Sequence, residues 1–212
     1  MKKPKFANNQ IYHIYNRGVE KRNVFLDEKD RFRFIHDAFE FNDQQRTLPS
    51  NIKFNLRNPA QVSHASISEC LEVQPLNIRR KRKKLLEILA FCLMPNHFHL
   101  LLKQRTEGGI IRFMQKLGTG YTMYFNLKNK RVGALFQGRF KAVLVNDPVH
   151  LEYLPHYIHL NPLDLIEPSW REKKIYNFKR VASFLGDYRW SSFLDYTGEK
   201  NFPSVIDRYF LE

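Results

Sequence analysis

Two histidines separated by one residue are the feature of this sequence with the clearest chemical use. His97 and His99 flank Phe98 within an apolar run, residues 92–102, that predicts β-strand. Alternate side chains of a strand point to the same face, so the two imidazoles project side by side while Phe98 turns toward a core. Two imidazoles on one rigid edge supply two ligands of a small metal site. A pair of hydrogen-bonded histidines on a polar strand face is the alternative for this motif alone.

A tyrosine and an asparagine further along the chain could complete such a site. Tyr157 and Asn161 are four residues apart in a predicted helix and therefore share one helix face. An amide oxygen can ligate a hard divalent cation beside two imidazoles, and a tyrosine one turn away would hold its hydroxyl close to that cation. A nucleophile, a metal and a basic surface together indicate phosphodiester chemistry. The alternatives are an aromatic packed against the sheet for Tyr157 and a helix C-terminal residue for Asn161.

Two other tyrosines compete with Tyr157 as nucleophile. Tyr121 and Tyr124 lie on the preceding predicted helix, but Phe125 and Lys128 occupy the positions four residues later, where an amide would be needed. We therefore expect these two tyrosines to be core or base-stacking residues. His-x-His pairs also occur in cupin-type oxygenases, but those require a β-rich barrel, which the predicted helices contradict.

The elements that must position these residues follow from apolar periodicity and from turn residues. Strands are predicted over residues 11–17, 85–94, 97–103 and 140–145. Helices are predicted over about residues 28–42, 108–129 and 148–161, the first capped by Asp27 and the third by Asn146 or Asp147. The order β-α-β-β-α-β predicts an α+β fold, a ferredoxin-like antiparallel sheet with packed helices.

Two features of the predicted helices require a structural reason. Gly118 and Gly120 lie inside the second helix, where each costs about 1 kcal/mol relative to alanine. They predict either the close approach of another backbone or a local break in the helix. Pro155 lies inside the third helix, so that helix either begins near Pro155 or bends there. Both alternatives keep Tyr157 and Asn161 on one turn.

We expect the 212 residues to form a single domain with a C-terminal extension over residues 163–212. Residues 43–84 carry no clear period and predict a loop or insertion. This segment ends in consecutive cations, residues 79–84, which favour a solvated edge, with phosphate contact as the second interpretation.

The charge balance predicts a polyanionic partner. The chain carries 35 Lys and Arg against 21 Asp and Glu, a formal net charge of +14, for which nucleic acid is the first expectation. A basic protein with solvated lysines is the alternative. The cysteines, Cys70 and Cys92, make no disulfide framework, and neither a signal peptide nor a membrane span is visible. We therefore expect an intracellular protein in a reducing environment, without a membrane partner.

The motifs and their order resemble the single-tyrosine HUH nucleases, and among them the REP-associated tyrosine transposases. The HUH motif is histidine-hydrophobe-histidine, and residues 94–101 match the family's version of that strand. Residues 157–162, Tyr-Ile-His-Leu-Asn-Pro, are similar to the family's tyrosine helix. Further similar segments lie at 12–18, 135–141 and 188–193, so the resemblance spans about residues 10–200, interrupted by the insertion.

This resemblance implies a role for each residue of the site. His97, His99 and Asn161 would bind Mg²⁺ or Mn²⁺, and Tyr157 would be the nucleophile. The implied partner is single-stranded or hairpin DNA, and the protein would be a monomer or a homodimer. The resemblance also implies a cytoplasmic, nucleoid-associated protein of a prokaryotic cell. The tyrosine would attack the scissile phosphate and leave a 5′-phosphotyrosine link and a free 3′-hydroxyl, and a later 3′-hydroxyl attack would join strands. A tyrosine hydroxyl titrates near about 10, so it needs activation at neutral pH.

Basic residues surround the predicted connection between the second helix and the fourth strand. They are interleaved with Phe136 and Phe140, which suits phosphate contact combined with base stacking. The residues that we expect to contact DNA here are Lys128, Lys130, Arg131, Arg139 and Lys141. A solvated loop beside two core aromatics is the alternative for any one of them. By resemblance, Asn16 and Arg17 would also contact bases or phosphates.

Two further function classes remain open on the sequence. The first is a catalytically silent ferredoxin-like module that binds nucleic acid in a salt-sensitive manner without cleaving it. The second is a metal-dependent hydrolase in which water is the nucleophile, so that cleavage would not require Tyr157 and would leave no DNA attached to the protein.

Overall fold

The computed structural model describes residues 4–44 and 82–208. Its strands are β1 Ile11–Arg17, β2 Leu86–Met94, β3 His97–Gln104 and β4 Lys141–Val145. Its α-helices are α1 Glu28–Phe41, α2 Gly109–Lys128, α3 Pro148–Leu160, α4 Phe178–Asp187 and α5 Phe193–Tyr196. Short 3₁₀ helices span Val19–Lys21, Asn161–Leu165 and Pro168–Glu172. The predicted β-α-β-β-α-β order is confirmed; residues 45–81 of the expected insertion lie outside the described residues.

The four strands form one antiparallel sheet in the order β2-β3-β1-β4. Strand β3, which carries the two histidines, is therefore central and is paired on both sides. Across the β1–β3 pair, Arg17 lies opposite His97 and Tyr15 lies opposite His99. Because directly opposed residues share a face of the sheet, the odd-numbered positions of β1 lie on the histidine face.

Helices α1 and α2 cover the opposite face of the sheet. Phe98, between the two histidines, is 2% exposed, and its ring lies 5.0 Å from that of Phe34 on α1. Tyr121 of α2 is fully buried, and its hydroxyl donates to the carbonyl of Val24 at 2.6 Å. The expectations that Phe98 turns into a core and that Tyr121 is a core residue are confirmed.

The contact between α1 and α2 explains one of the two glycines in α2. A Cβ atom on Gly120 would lie 2.8 Å from the ring of Phe41 on α1, so any side chain at this position would require that ring to shift. The close approach comes from an aromatic ring rather than from a backbone. A Cβ on Gly118 would have no atom of the described residues within 4 Å. Helix α2 is continuous through both positions.

Helix α3 lies on the histidine face of the sheet and begins as the sequence predicts. Asp147 is its N-cap, with a side chain that accepts from the Val149 N–H at 3.2 Å, and Pro148 occupies the first turn, where no N–H is needed. Pro155 is buried within the helix, which already begins at Pro148. The alternative in which α3 begins near Pro155 is thus wrong.

The segment after α3 closes the β2 edge of the sheet and packs beside the site. The Leu93 N–H donates to the carbonyl of Trp190 at 2.9 Å, and the hydroxyl of Tyr188 donates to the carbonyl of Leu93 at 2.7 Å. A second small core, formed by Leu163, Trp170, Val181 and Leu185, contacts Tyr157. Within residues 4–44 and 82–208, no helix combines the length and the apolar character that crossing a membrane requires.

Candidate functional site

His97 and Asn161 meet where β3 begins and α3 ends. The Nε2 atom of His97 lies 3.3 Å from Oδ1 of Asn161, and its Nδ1 lies 2.6 Å from Oδ1 of Asn96. Burial lowers the pKa of His97 below its usual value, although the contact with Asn161 opposes this shift, so the ring is neutral near pH 7. A neutral imidazole has one N–H for these two acceptor oxygens. The lone pair of one ring nitrogen therefore faces the lone pairs of an oxygen, which is repulsive. A cation bound between these two atoms would remove the repulsion.

Asn161 is enclosed at the start of the 3₁₀ helix that follows α3. Its side chain is fully buried, and its Nδ2 makes no hydrogen bond within the described part of the chain. A buried amide nitrogen without a partner costs about 1–3 kcal/mol, and rotating the amide would let Nδ2 donate to His97 instead. The orientation that turns Oδ1 toward His97 is the one that a metal ligand requires. The donor set, two imidazoles and one amide oxygen, thus fits a divalent cation.

His99 is held by a third histidine that the sequence analysis did not identify. Nδ1 of His99 lies 2.8 Å from Nε2 of His13 on β1, and the two rings stack with centroids 5.0 Å apart. Burial, reinforced by nearby His150, lowers the pKa of His13 to about 4. Burial and the neighbouring His13 lower the pKa of His99 well below its usual value. Both rings are therefore neutral at pH 7, and one N–H lies between them.

The tautomer of this pair decides whether His99 can bind a metal. If Nδ1 of His99 donates to His13, then Nε2 of His99 keeps its lone pair and can act as a ligand. Nε2 makes no hydrogen bond within the described residues. His13 could have been found from the predicted sheet, because β1 lies next to β3 in a ferredoxin-like order and His13 occupies the face shared with His99.

Tyr157 lies against the paired histidines. Its ring is half-buried and makes edge contacts with His99, at 5.7 Å between centroids, and with His13, at 6.3 Å. Tyr153, one turn earlier, is 57% exposed. The structure therefore brings Tyr157 to the same place as the two histidines of the motif and Asn161, as their spacing predicts. Their catalytic and metal-binding roles stay predictions.

An arginine–aspartate pair next to Tyr157 was also missed. The Nη1 group of Arg171 donates to the hydroxyl of Tyr157 at 3.3 Å, while its Nε and Nη2 groups donate to the two carboxylate oxygens of Asp164 at 2.9 and 2.5 Å. The indole of Trp170 also donates to Asp164, at 2.7 Å. Burial raises the pKa of Asp164, but the hydrogen bonds from Arg171 and Trp170 outweigh it and hold that pKa below its usual value. These residues lie in short 3₁₀ helices, which leave no periodic signal in a sequence.

The back of α3 is anchored to the edge strand β2. Nε2 of His159 lies 2.8 Å from the hydroxyl oxygen of Ser192, which accepts from the Phe91 N–H at 2.9 Å. Both side chains are buried, and burial lowers the pKa of His159 to about 4. Since His159 lies between Tyr157 and Asn161 in sequence, this contact fixes the rotation of the helix that presents them.

The residues expected to contact DNA occupy two kinds of position. Lys128 is ion-paired at the surface: its ammonium lies 2.8 Å from Asp27 and 2.6 Å from Asp30. Arg131 donates to the side chain of Asn126 at 2.5 Å. Lys130, Arg139 and Lys141 are exposed and make no such pairing within the described residues. Lys130 follows the end of α2, whereas Arg139 and Lys141 lie at the start of β4.

Asn16 and Arg17 join the end of β1 to the loop before β4. The amide of Asn16 donates to the carbonyl of Gly138 at 3.2 Å, and Arg17 donates to the side chain of Gln137 at 3.2 Å. Next to this junction, on the face of the sheet opposite the histidines, a groove of about 790 Å³ opens. Its lining includes Asn16, Phe98, Phe136, Arg139 and Phe140. DNA contact by the predicted basic residues stays a prediction.

Comparison with known proteins agrees with the resemblance stated above. Residues 64–161 match the model of the Y1_Tnp family, described as "Transposase IS200 like". Over these residues the chain matches the IS200-like transposases. The matched segment contains His97, His99, Tyr157 and Asn161, and its first residues, 64–81, fall in the expected insertion. No curated protein shows significant sequence similarity to the chain.

A solved structure has a fold similar to that of this chain. That structure is of a REP-associated tyrosine transposase bound to a REP hairpin, and the TM-score is 0.54 with 10% sequence identity. The match covers 97% of this chain and 89% of the other. At this identity the likeness concerns the fold, and it confirms the predicted α+β sheet. The family match and the fold match together confirm the predicted resemblance.

The candidate metal ligands differ in type from a site built only from histidine, cysteine and carboxylate side chains. Within residues 4–44 and 82–208, no group of three or more His, Cys, Asp or Glu side chains is arranged to hold a metal ion. The candidate set of His97, His99 and Asn161 differs from such groups because its third ligand is an amide. Metal binding by this set is supported by the approach of Nε2 of His97 to Oδ1 of Asn161, at 3.3 Å.

Proposed function

We propose that this IS200-like chain is a metal-dependent, single-strand-specific DNA endonuclease and strand transferase that acts at DNA hairpins. One observation carries the proposal. Tyr157 contacts His99, while Asn161, one helical turn later, reaches His97. The Tyr157 ring, the two imidazoles and the Asn161 amide therefore lie near one another on the face of the sheet that α3 covers.

Tyr157 is the best placed nucleophile among the tyrosines considered. The hydroxyl of Tyr121 is buried and donates to a backbone carbonyl, and burial raises its pKa above the usual range. Burial raises the pKa of Tyr124 to about 12, and its hydroxyl donates to Asp30. Both hydroxyls are thus harder to ionise than usual and are occupied by structural hydrogen bonds. Tyr157 instead contacts the histidines and a cationic guanidinium.

His97, His99 and Asn161 would hold Mg²⁺ or Mn²⁺ through two ring nitrogens and the amide oxygen. When bound, such a cation polarises a phosphate oxygen and stabilises the charge that develops there. The protein's own residues prepare this role. In the proposed tautomer, Nδ1–H of His99 donates to Nε2 of His13, which leaves the lone pair of His99 Nε2 for the cation. The contact between His159 and Ser192 holds α3 at the rotation that presents Tyr157 and Asn161.

In the proposed reaction, the hydroxyl oxygen of Tyr157 attacks the scissile phosphorus. A bond forms between that oxygen and phosphorus as the bond from phosphorus to the 3′-oxygen breaks. The phenolic proton passes to solvent, and the leaving 3′-oxygen takes up a proton to become a free hydroxyl. The 5′-phosphotyrosine link conserves the number of phosphodiester bonds, so a later attack by a 3′-hydroxyl can join strands without ATP.

The surface of the protein supports single-stranded or hairpin DNA as the substrate. The formal net charge of +14 favours binding to a polyanion. The groove on the sheet face opposite the histidines places the partly exposed Phe140 next to Arg139, and an aromatic ring beside a cation suits base stacking with phosphate contact. The solved transposase of similar fold is bound to a REP hairpin, which favours a hairpin here as well.

A covalent-adduct experiment tests the proposal. The protein is incubated with Mn²⁺ and single-stranded hairpin oligonucleotides taken from DNA that flanks its own coding sequence. The DNA-linked species is resolved on a denaturing gel, and the modified tyrosine is identified by peptide mass. We expect an adduct on Tyr157 that is lost with chelator and in Tyr157→Phe, but is retained in Tyr153→Phe, the matched change one turn earlier.

Two other results would contradict the proposal in different ways. Cleavage that survives Tyr157→Phe and leaves no DNA on the protein would assign a water nucleophile. Salt-sensitive binding without cleavage, unaffected by His97→Ala, would assign a binding module instead of an enzyme.

A further inference from the structure

Arg171 occupies a position next to the attacking atom of the proposed reaction. Its Nη1 group lies 3.3 Å from the hydroxyl oxygen of Tyr157, and its guanidinium lies 5.4 Å from the centre of the Tyr157 ring. The guanidinium also stacks on Trp170, at 5.0 Å from the ring centre. We propose that Arg171 is a catalytic residue that binds the scissile phosphate and the phosphotyrosine, an inference that rests on the proposed function.

The orientation of Arg171 is fixed by Asp164. Two hydrogen bonds run from one edge of the guanidinium to the two carboxylate oxygens, a fork geometry that favours a single orientation. Trp170 donates to the same carboxylate and holds it in turn. Asp164 is therefore a positioning residue, and the guanidinium edge that carries Nη1 faces Tyr157.

Arg171 retains the capacity to bind a second anion. Its side chain is 43% exposed, and a guanidinium carries more N–H donors than its contacts with Asp164 and Tyr157 use. A phosphate joined to the Tyr157 oxygen would bring its non-bridging oxygens within reach of those remaining donors. Arginine matches phosphate with two parallel N–H groups, which lysine does not provide.

The charge of Arg171 suits the step in which the phosphorus is attacked. As the Tyr157 oxygen bonds to phosphorus and the 3′-oxygen departs, negative charge is spread over the non-bridging oxygens. A preorganised cation at that point stabilises the transition state more than the bound substrate. Arg171 gains and loses no proton in this step: the phenolic proton leaves to solvent and the 3′-oxygen is protonated from solvent.

The alternative role of Arg171 is purely structural, as a clamp between the two 3₁₀ helices. The experiment must therefore measure more than loss of activity. Arg171→Ala is compared with Arg180→Ala, an exposed arginine on α4, and with Arg171→Lys, which keeps the charge but loses the fork. For each protein, hairpin-DNA affinity, thermal midpoint and the single-turnover rate of adduct formation in Mn²⁺ are measured, with and without millimolar guanidinium chloride against matched sodium chloride.

For Arg171→Ala we expect adduct formation to fall roughly 100- to 1,000-fold while DNA affinity changes little. Guanidinium, but not sodium, should restore part of the rate, and Arg171→Lys should fall between the wild type and alanine. If Arg171→Ala reacts as fast as Arg180→Ala, the proposal is wrong. The same holds if its rate falls together with the thermal midpoint, guanidinium restores nothing and Arg171→Lys is equally slow. A wild-type protein that forms no adduct would instead overturn the proposed function.

Discussion

Nε2 of His13 lies 2.8 Å from Nδ1 of His99, so a histidine on β1 fixes the ring of a candidate metal ligand on β3. This contact joins positions 86 residues apart, and it is buried on the face that α3 covers. The polar partners that hold ligand histidines set their tautomer and orientation, and their loss commonly weakens metal binding.

His13→Ala is expected to reduce Mn²⁺ affinity by roughly 10- to 100-fold, because His99 is then free to place its proton on Nε2 and to rotate. Isothermal titration calorimetry of the DNA-free protein measures this change. His13→Gln, whose amide oxygen can accept from Nδ1 of His99, should retain most of the affinity. Equal Mn²⁺ affinity in wild type and His13→Ala would mean that His13 does not orient a ligand.

Asn161→Ala is expected to weaken Mn²⁺ binding while changing stability little. The Nδ2 of Asn161 has no partner among the described residues, and its Oδ1 contacts only His97, so the lost hydrogen bond is worth about 0.5–1.5 kcal/mol at most. Asn161→Asp, which supplies an anionic oxygen at the same place, should bind Mn²⁺ more tightly. The electron paramagnetic resonance signal of free Mn²⁺ reports both affinities, and unchanged binding in both variants would remove Asn161 from the ligand set.

His159→Ala is expected to destabilise the protein by about 1–3 kcal/mol, since Ser192 then loses a buried hydrogen-bond partner. His156→Ala is the matched control, because His156 is exposed on the same helix. Urea unfolding followed by circular dichroism gives the free energy of unfolding of each variant. If the two variants are equally stable, the contact with Ser192 does not anchor α3.

The two glycines of α2 should respond oppositely to alanine. Gly118→Ala is expected to stabilise the protein by roughly 0.5–1 kcal/mol, because the new methyl group meets nothing and the helix gains propensity. Gly120→Ala is expected to destabilise it by roughly 1–3 kcal/mol, because its Cβ would lie 2.8 Å from Phe41. Adding Phe41→Ala should make Gly120→Ala less costly. Thermal unfolding gives the stability change of each glycine variant. Equal stability changes for Gly118→Ala and Gly120→Ala would mean that Phe41 moves aside freely.

The parts of the structure that depend on local pattern were predicted from the sequence. A continuous apolar run located β3, and the two-residue repeat of a strand placed His97 and His99 on one face. Helical spacing placed Tyr157 and Asn161 on one turn. Asp27 and Asp147 cap helices where capping chemistry predicts them.

The parts that depend on distant pairings were not predicted. The partner of His99 is set by strand pairing, and Arg171 reaches Tyr157 through 3₁₀ turns that have no apolar period. The pairing of Lys128 with Asp27 and Asp30, which lie 101 and 98 residues earlier in the chain, was not predicted either, and DNA contact by Lys128 stays a prediction. Sequence periodicity cannot reveal such ion pairs, because they follow from the packing of α1 against α2.

The facing atoms of His97 and Asn161 belong to two different layers of the molecule, the sheet and the helix that covers it. Any cation that binds both side chains therefore also ties α3 to the sheet. The free energy of binding that cation is then shared with the docking of the helix, and the melting temperature must rise with cation concentration. Binding of the cation and docking of α3 on the sheet are therefore thermodynamically coupled.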